Sequence, residues 1–163
     1  MKRVIVSACL LGINCKYNGG NNRDPLVVEL FKRGVAVPLC PEQLGGLPTP
    51  RPPAKITGGD GFAVIQGKAR VKTVDGSDLD VTENFLKGAY ETLFVAELLS
   101  DSCVACVLKE KSPSCGVKRI YRFESDDLKE GMGVTAALLH SKGFKILSSD
   151  DREEIEKLLE EIG

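Results

Sequence analysis

Tryptophan is absent from this chain, and tyrosine occurs only three times. Little is left with which to build a groove that stacks unpaired bases. Positive charge is not in excess either: Lys and Arg number 22 against 23 Asp and Glu, for a net charge of -1. Neutralising a phosphate backbone needs a surplus of cations, so bulk nucleic-acid binding is not expected. Long apolar runs are missing too. The N-terminal one, in MKRVIVSACLLGINC, is far shorter than the roughly 20 residues of a membrane span. With Lys2 and Arg3 ahead of it, it superficially resembles a signal-peptide core. It runs straight into the polar CKYNGGNNRDP without a small-residue cleavage site, so a buried strand and a loop are expected instead. No internal repeat, linker or low-complexity segment occurs.

What remains is an ordinary globular composition, 42% hydrophobic and 28% charged over 163 residues, which fits one domain, 1–163. Six cysteines stand out. The expected compartment is the cytoplasm, where thiols stay reduced. There they are ligands, catalysts or core residues rather than a disulfide framework.

Strand and helix patterns alternate along the chain. Arg3 to Ser7 (RVIVS) reads as a buried parallel strand. Asp24-Pro25 supplies an N-cap and a first-turn proline for a helix from Pro25 to Arg33 that stops at Gly34. Val35 to Leu39 is a second strand. The loop CPEQLGGLPTPRPPAKI that follows is too rich in proline for regular structure. Gly61 to Thr73 alternates around Gln66-Gly67 and predicts a small hairpin. Asp80 caps a helix from Val81 to Ser100, with Phe85, Ala89, Leu93, Ala96 and Leu99 at helical spacing. Cys103 to Leu108 is a third strand and Phe144 to Leu147 a fourth, with a helix over Gly133 to His140 between them. Ser149 caps a last charged helix, 150–162, read as a peripheral addition. The class is α/β: a three-layer α/β/α domain with a mostly parallel sheet and a small β-hairpin insertion.

Ligands of such sheets gather at the carboxyl ends of the strands. Cys9 follows the first strand, Cys40 the second, and Cys115 lies in the loop after the third. Three cysteines distant in sequence thus fall at one edge, each beside backbone-exposing residues: Gly12, Pro41 and Gly116. The spacing suggests a shared metal or cluster site. Two fillings are open: zinc with three ligands and a free position, or an iron–sulfur cluster. Cys103 and Cys106 form a C-x-x-C, but positions i and i+3 of a strand point to opposite faces, so core packing is the simpler reading. Cys15 could be a fourth ligand, a sulfur relay or a bystander, and is read as a bystander. His140, late in its helix, suits the local dipole and needs no further role.

Five stretches carry a family resemblance: SACLLG (Ser7 to Gly12), CPEQLGGLPTPRPP (Cys40 to Pro53), DVTENFLKGA (Asp80 to Ala89), LKEKSPSCG (Leu108 to Gly116) and GMGVTAALLHSKG (Gly131 to Gly143). They resemble the bacterial and archaeal family catalogued as domain of unknown function 523, nearly throughout up to about Asp150. One branch of that family is the thiouracil desulfidases. The resemblance implies a [4Fe-4S] cluster on Cys9, Cys40 and Cys115, its fourth iron open to the sulfur of 2-thiouracil, giving uracil and sulfide without net redox change. Glu42 would be the acid–base group, and Ser112 a substrate or proton-relay contact. Cys15 falls where many relatives carry another residue. Asn18 stands where many carry an aspartate, so the substrate is not fixed by the resemblance.

The expected chemistry is Lewis-acid polarisation of a thiocarbonyl and attack by water assisted by Glu42. Pro113 stiffens Ser112, and Gly116 is expected to let backbone approach the cluster. Ser114 and Arg51 are weaker candidates as hydroxyl and cation near the substrate, and Lys109 and Lys111 weaker still. The expected partner is a small thio-substrate, with no membrane. The alternatives are a sulfur carrier that hands sulfide to a partner, and a non-catalytic metal-binding module. After aerobic purification such a cluster is expected to be lost or replaced by zinc.

Overall fold

The computed structural model describes residues 1–163. Its centre is a four-stranded sheet of order β2-β1-β5-β8, with β1 Arg3–Ser7, β2 Ala36–Leu39, β5 Cys103–Leu108 and β8 Ile146–Ser148. Every pairing in it is parallel. Val4, Val6, Ala105 and Val107 pack on one face with Val27 and Leu30 of α1 (Pro25–Lys32) and Ile155 and Leu158 of α6 (Arg152–Ile162). Ile5, Cys106 and Leu108 pack on the other with α4 (Thr82–Leu99) and α5 (Val134–Ser141). The apolar runs of the strands are the sequence record of burial on both faces. The last helix is part of the packing: Ile155 is fully buried, and Arg33 Nη1 donates to Leu159 O at 2.7 Å.

From β1 the chain moves outward to β2, and from β2 it returns across the sheet to β5 on the other side of β1. That reversal opens a crevice at the carboxyl ends of β1, β2 and β5, the place where α/β sheets bind ligands. The loops bearing Cys9, Cys40 and Cys115 all leave from there.

Several local expectations give way. Gly61 to Thr73 is not a hairpin. Its first part is a short helix, α3 (Gly61–Ile65), capped by Asp60 Oδ1, which accepts from Ala63 N. Its last part, β4 (Arg70–Thr73), pairs antiparallel with β3 (Ala54–Thr57). The proline-rich loop therefore holds both β3 and a single helical turn, α2 (Pro41–Leu44). A second two-stranded ribbon joins β6 (Arg119–Tyr121) to β7 (Leu128–Glu130). Val81, not Asp80, occupies the N-cap position of α4, although Asp80 Oδ1 still accepts from Thr82 N at 3.0 Å. Ser149 does not cap α6, which starts at Arg152. Its Oγ accepts instead from Glu110 N at 3.0 Å.

In β5 the register shifts, so that Arg3 faces Cys103 while Val4 faces Ala105. The extra residue turns i, i+3 into same-face neighbours. Cys103 and Cys106 accordingly lie on one side of the sheet with their thiols in hydrogen-bond contact, contrary to the opposite-face expectation. Cys106 is fully buried in the core, and the contact and burial raise its pKa.

Helix α2 is held against α4 by backbone contact. A Cβ on Gly88 would lie 1.8 Å from Pro41 O. Asn84 Nδ2 reinforces the approach by donating to Gly45 O at 2.9 Å. No small shift can relieve a clash of that depth between two backbones. Gly88→Ala is therefore expected to destabilise the protein by about 3 kcal/mol. Urea unfolding checks this, and an unchanged midpoint would show that α2 is not seated on α4.

Candidate active site

Four thiols line one cavity of about 920 Å³ at the crevice: Cys9, Cys15, Cys40 and Cys115. Cys9 is in the 3₁₀ turn that continues β1. Cys40 is the N-cap of α2, directly after β2. Cys115 is 4% exposed and reached from β5 through the Ser-Pro-Ser loop. All six cysteines are free thiols.

The environments differ. Cys40 is drawn down to about 6, chiefly by the hydrogen bond from Cys15, with help from the Gln43 amide of α2 and against burial. Cys9 is drawn down to about 7, again chiefly by Cys15, with Asn22 and Lys109 assisting and burial opposing. Asn22 Nδ2 lies 3.5 Å from Cys9 Sγ. Cys115 is pushed up to about 12 by burial, against hydrogen bonds from Ser7 and Ser114. Cys15 is shifted upward by its contacts with Cys40 and Cys9 and by burial. A buried thiol set against two others that ionise more readily stays protonated while they do so.

Beside the thiols runs a chain of acidic and hydroxyl groups. Glu42 Oε1 accepts from Arg51 Nε at 3.0 Å, and Glu42 Oε2 accepts from Ser114 Oγ at 2.8 Å. Ser114 and Ser112 hydroxyls are 2.8 Å apart. Ser112 Oγ also accepts from the amides of Ser114 and Cys115, both at 3.1 Å. The proton direction follows. Ser114 Oγ has one proton, and the carboxylate at 2.8 Å takes it in preference to Cys115 Sγ at 3.7 Å. Ser112, accepting from two amides, donates to Ser114. The chain thus points from Ser112 through Ser114 to Glu42.

Arg51 has 4% of its side chain exposed and closes the site from the side. Besides Glu42 it reaches Thr49 Oγ1 at 3.1 Å and, through Nη2, Cys15 O at 2.9 Å. It binds protein groups and so acts as a brace. Ser112, Ser114, Arg51, Glu42 and Lys109 all face the cavity. Asn18 does not: it is exposed and its Oδ1 accepts from Gly20 N at 2.9 Å. Gly116 has a different reason from the one expected. Its Cβ would lie 2.8 Å from Ser112 O and 2.7 Å from Arg119 O, so it lets the loop close on itself. His140 is exposed at the end of α5, edge-on to Phe62.

Three residues here escaped sequence reading. Ser7 Oγ accepts from Lys109 N at 2.9 Å and bonds Cys115, tying β1 to the loop after β5. Asn22 holds Cys9. Glu110, 4% exposed, gathers the loop that carries Cys115. Its Oε1 accepts from the amides of Val117 at 2.9 Å, Lys118 at 3.0 Å and Arg119 at 3.1 Å, and its Oε2 from Ser148 Oγ at 2.6 Å. A glutamate in a motif full of turn residues is the only sequence signal it gives.

No group of three or more His, Cys, Asp or Glu side chains is disposed to hold a single metal ion, which removes support from zinc. An all-thiol donor set spread around a roomy cavity suits a larger thiolate-bound group, and an iron–sulfur cluster fits these residues.

Fold and site together define an α/β protein whose cleft is built around cysteine thiols. The 2-thiouracil desulfurase family model matches residues 4–151, and the chain belongs to that family. A Bacillus subtilis (strain 168) relative, the uncharacterized protein YbbK, is 43% identical over 153 residues, 93% of this chain and 99% of that one. The solved structure of the [4Fe-4S]-dependent thiouracil desulfidase TudS matches with a TM-score of 0.81 at 39% identity, covering 98% of this chain and 99% of that one. No helix is long and apolar enough to cross a membrane.

Burial works against the Glu110 carboxylate, but hydrogen bonds from Ser148 and from the Arg119, Lys118 and Lys111 amides hold its pKa below the ordinary value. A depressed folded pKa stabilises the fold above the unfolded value, ~4.3 for Glu, and that contribution is lost as pH falls through the folded pKa. Glu110→Gln is thus expected to cost about 1.5–3 kcal/mol near neutrality. The deficit should shrink as pH falls below the unfolded value and the wild-type carboxyl protonates. Urea midpoints across that range check it; a deficit independent of pH would contradict the assignment.

Proposed function

We propose that the protein is a [4Fe-4S]-dependent desulfidase that removes sulfur from a small thiocarbonyl such as 2-thiouracil, giving the oxo product and sulfide. The observation that carries this is the meeting of Cys9, Cys40 and Cys115 with the Ser112–Ser114–Glu42 chain around one cavity. The family match and the TudS likeness support the same reading.

Cys9, Cys40 and Cys115 would hold the cluster. When bound, the cluster supplies an open iron, a Lewis acid for the thiocarbonyl sulfur. Everything else falls to the chain. Glu42 takes a proton from the attacking water as its oxygen adds to the carbon, and returns one to the departing sulfur. Oxygen replaces sulfur, the two protons of water leave with sulfide, and no electrons are exchanged. Ser114 and Ser112 hold Glu42 in place and relay its proton. Arg51 fixes the other carboxylate oxygen, so one face of Glu42 stays turned to the cavity. The free thiols suit a reducing, cytoplasmic setting.

Anaerobic reconstitution, iron counting and an assay of sulfide released from 2-thiouracil test the reading. Wild type is expected to hold about four irons per chain and to release sulfide. Cys9→Ala, Cys40→Ala and Cys115→Ala should each lose the cluster. Glu42→Gln should keep its irons but release sulfide about 10²–10⁴-fold more slowly. A Glu42→Gln enzyme of normal rate would exclude Glu42 as the base, and a loaded enzyme inert toward thiocarbonyls would exclude the desulfidase.

A further inference from the structure

We propose that Lys55 is a positioning residue that latches the segment Phe123–Asp126 over the thiol cavity and so sets how firmly substrate is held. The effect on turnover rests on the desulfidase reading above; the latch rests on geometry alone.

Strand alternation sends Lys55 away from the core. Ala54 and Ile56, on either side of it in β3, pack with the core cluster that includes Phe85 and Leu138, while Lys55 lines the cavity. Its side chain is only 16% exposed. Nζ donates to Ser125 O at 2.7 Å and stands 5.6 Å from the centre of the Tyr121 ring. It also lies 3.4 Å from Asp126 Oδ1, but that carboxylate is fully exposed, so water screens the ion pair. The carbonyl bond and the ring are what hold the ammonium.

Phe123, Glu124, Ser125 and Asp126 line the cavity from the turn between β6 and β7. The base of that ribbon is fixed. Ile120 is 1% exposed in the core, and Lys129 Nζ donates to Gly59 O at 2.8 Å. The turn closes on itself through Arg122 N to Asp127 O at 2.8 Å and Asp127 N to Ser125 Oγ at 3.2 Å. Beyond that, Lys55 makes the only hydrogen bonds between Phe123–Asp126 and the rest of the chain. A stretch of cavity wall thus hangs from one side chain, and it opens when that side chain lets go. Lys55 bonds neither a thiol nor the Ser112–Ser114–Glu42 chain. Its loss is therefore expected to weaken retention of substrate and to leave the chemical step alone, which reads as KM rather than kcat.

The chain has no tryptophan, so Phe123→Trp places a single indole on the latched segment. Acrylamide quenching of that indole is compared in the full chain with Lys55, Lys55→Arg and Lys55→Met, before and after anaerobic reconstitution. Lys55→Met should be quenched at least about two-fold more readily, and Lys55→Arg, which keeps a charged donor, should stay near wild type. Trypsin cleavage after Arg122 makes the same comparison with Phe123 intact and decides if the indole disturbs folding. With Phe123 intact and the cluster loaded, Lys55→Met should raise KM for 2-thiouracil about ten-fold with kcat within about two-fold, and Lys55→Arg should restore KM. Unchanged quenching and cleavage in Lys55→Met overturn the latch, whatever the activity. A fall in kcat at constant KM also overturns the assignment. A loaded wild type that releases no sulfide overturns the desulfidase reading, while quenching and cleavage still decide the latch.

Discussion

One buried carboxylate organises the thiol end of this molecule. Glu110 sits where β5 ends, and its oxygens collect the amides of Val117, Lys118 and Arg119 together with the Ser148 hydroxyl at the end of β8. Removing a carboxylate from water costs several kcal/mol unless hydrogen bonds replace the lost solvation. Here they do, and three of the replacements are amides of the loop that must be held, while Ser148 ties the carboxylate to the sheet. Cys115 can lie in an irregular segment and still be fixed, because the segment is wound around a charge anchored to the sheet.

The other walls are tied to that loop by single polar contacts between segments far apart in sequence. Ser7 joins β1 to the backbone after β5. Ser114 joins the same loop to Glu42 on α2, and Arg51 joins Glu42 to the loop of Cys15. Helix α2 is in turn pressed onto α4 where Gly88 leaves room for backbone. None of these contacts need be strong in isolation. They are mutually supporting, since each fixes a group that another uses.

Legibility in the sequence followed the length of the signal. Arg3 to Ser7 and Cys103 to Leu108 were readable because strands buried on both faces are continuous apolar runs. The α4 stripe repeats over several turns. Cys9, Cys40 and Cys115 could be grouped because each follows a readable strand. Helix α3 could not be seen: five residues show no helical period, and GFAVI followed by RVKT alternates well enough to pass for a hairpin. The partner of β4 lies beyond α3, a non-local pairing that no turn dipeptide announces. The bulge in β5 left no mark in composition, yet it reversed the expected facing of Cys103 and Cys106. Ser7, Asn22 and Glu110 became distinct only when the fold brought their partners to them.

The cavity has walls of two kinds. The thiols hang from the parallel sheet, whose register and two cores resist change. The rest of the lining includes Ala54 and Lys55 of the β3–β4 ribbon, and Tyr121 and Phe123 of the segment that starts at β6. These ribbons lie outside the central sheet and meet through Lys55, whose Nζ donates to Ser125 O at 2.7 Å. Substitutions on the ribbons can therefore reshape the cavity while leaving in place the sheet that carries the thiols. Descendants of one ancestral scaffold can come to admit different molecules while keeping the same sulfur frame, and kinship in that frame is a poor guide to diet.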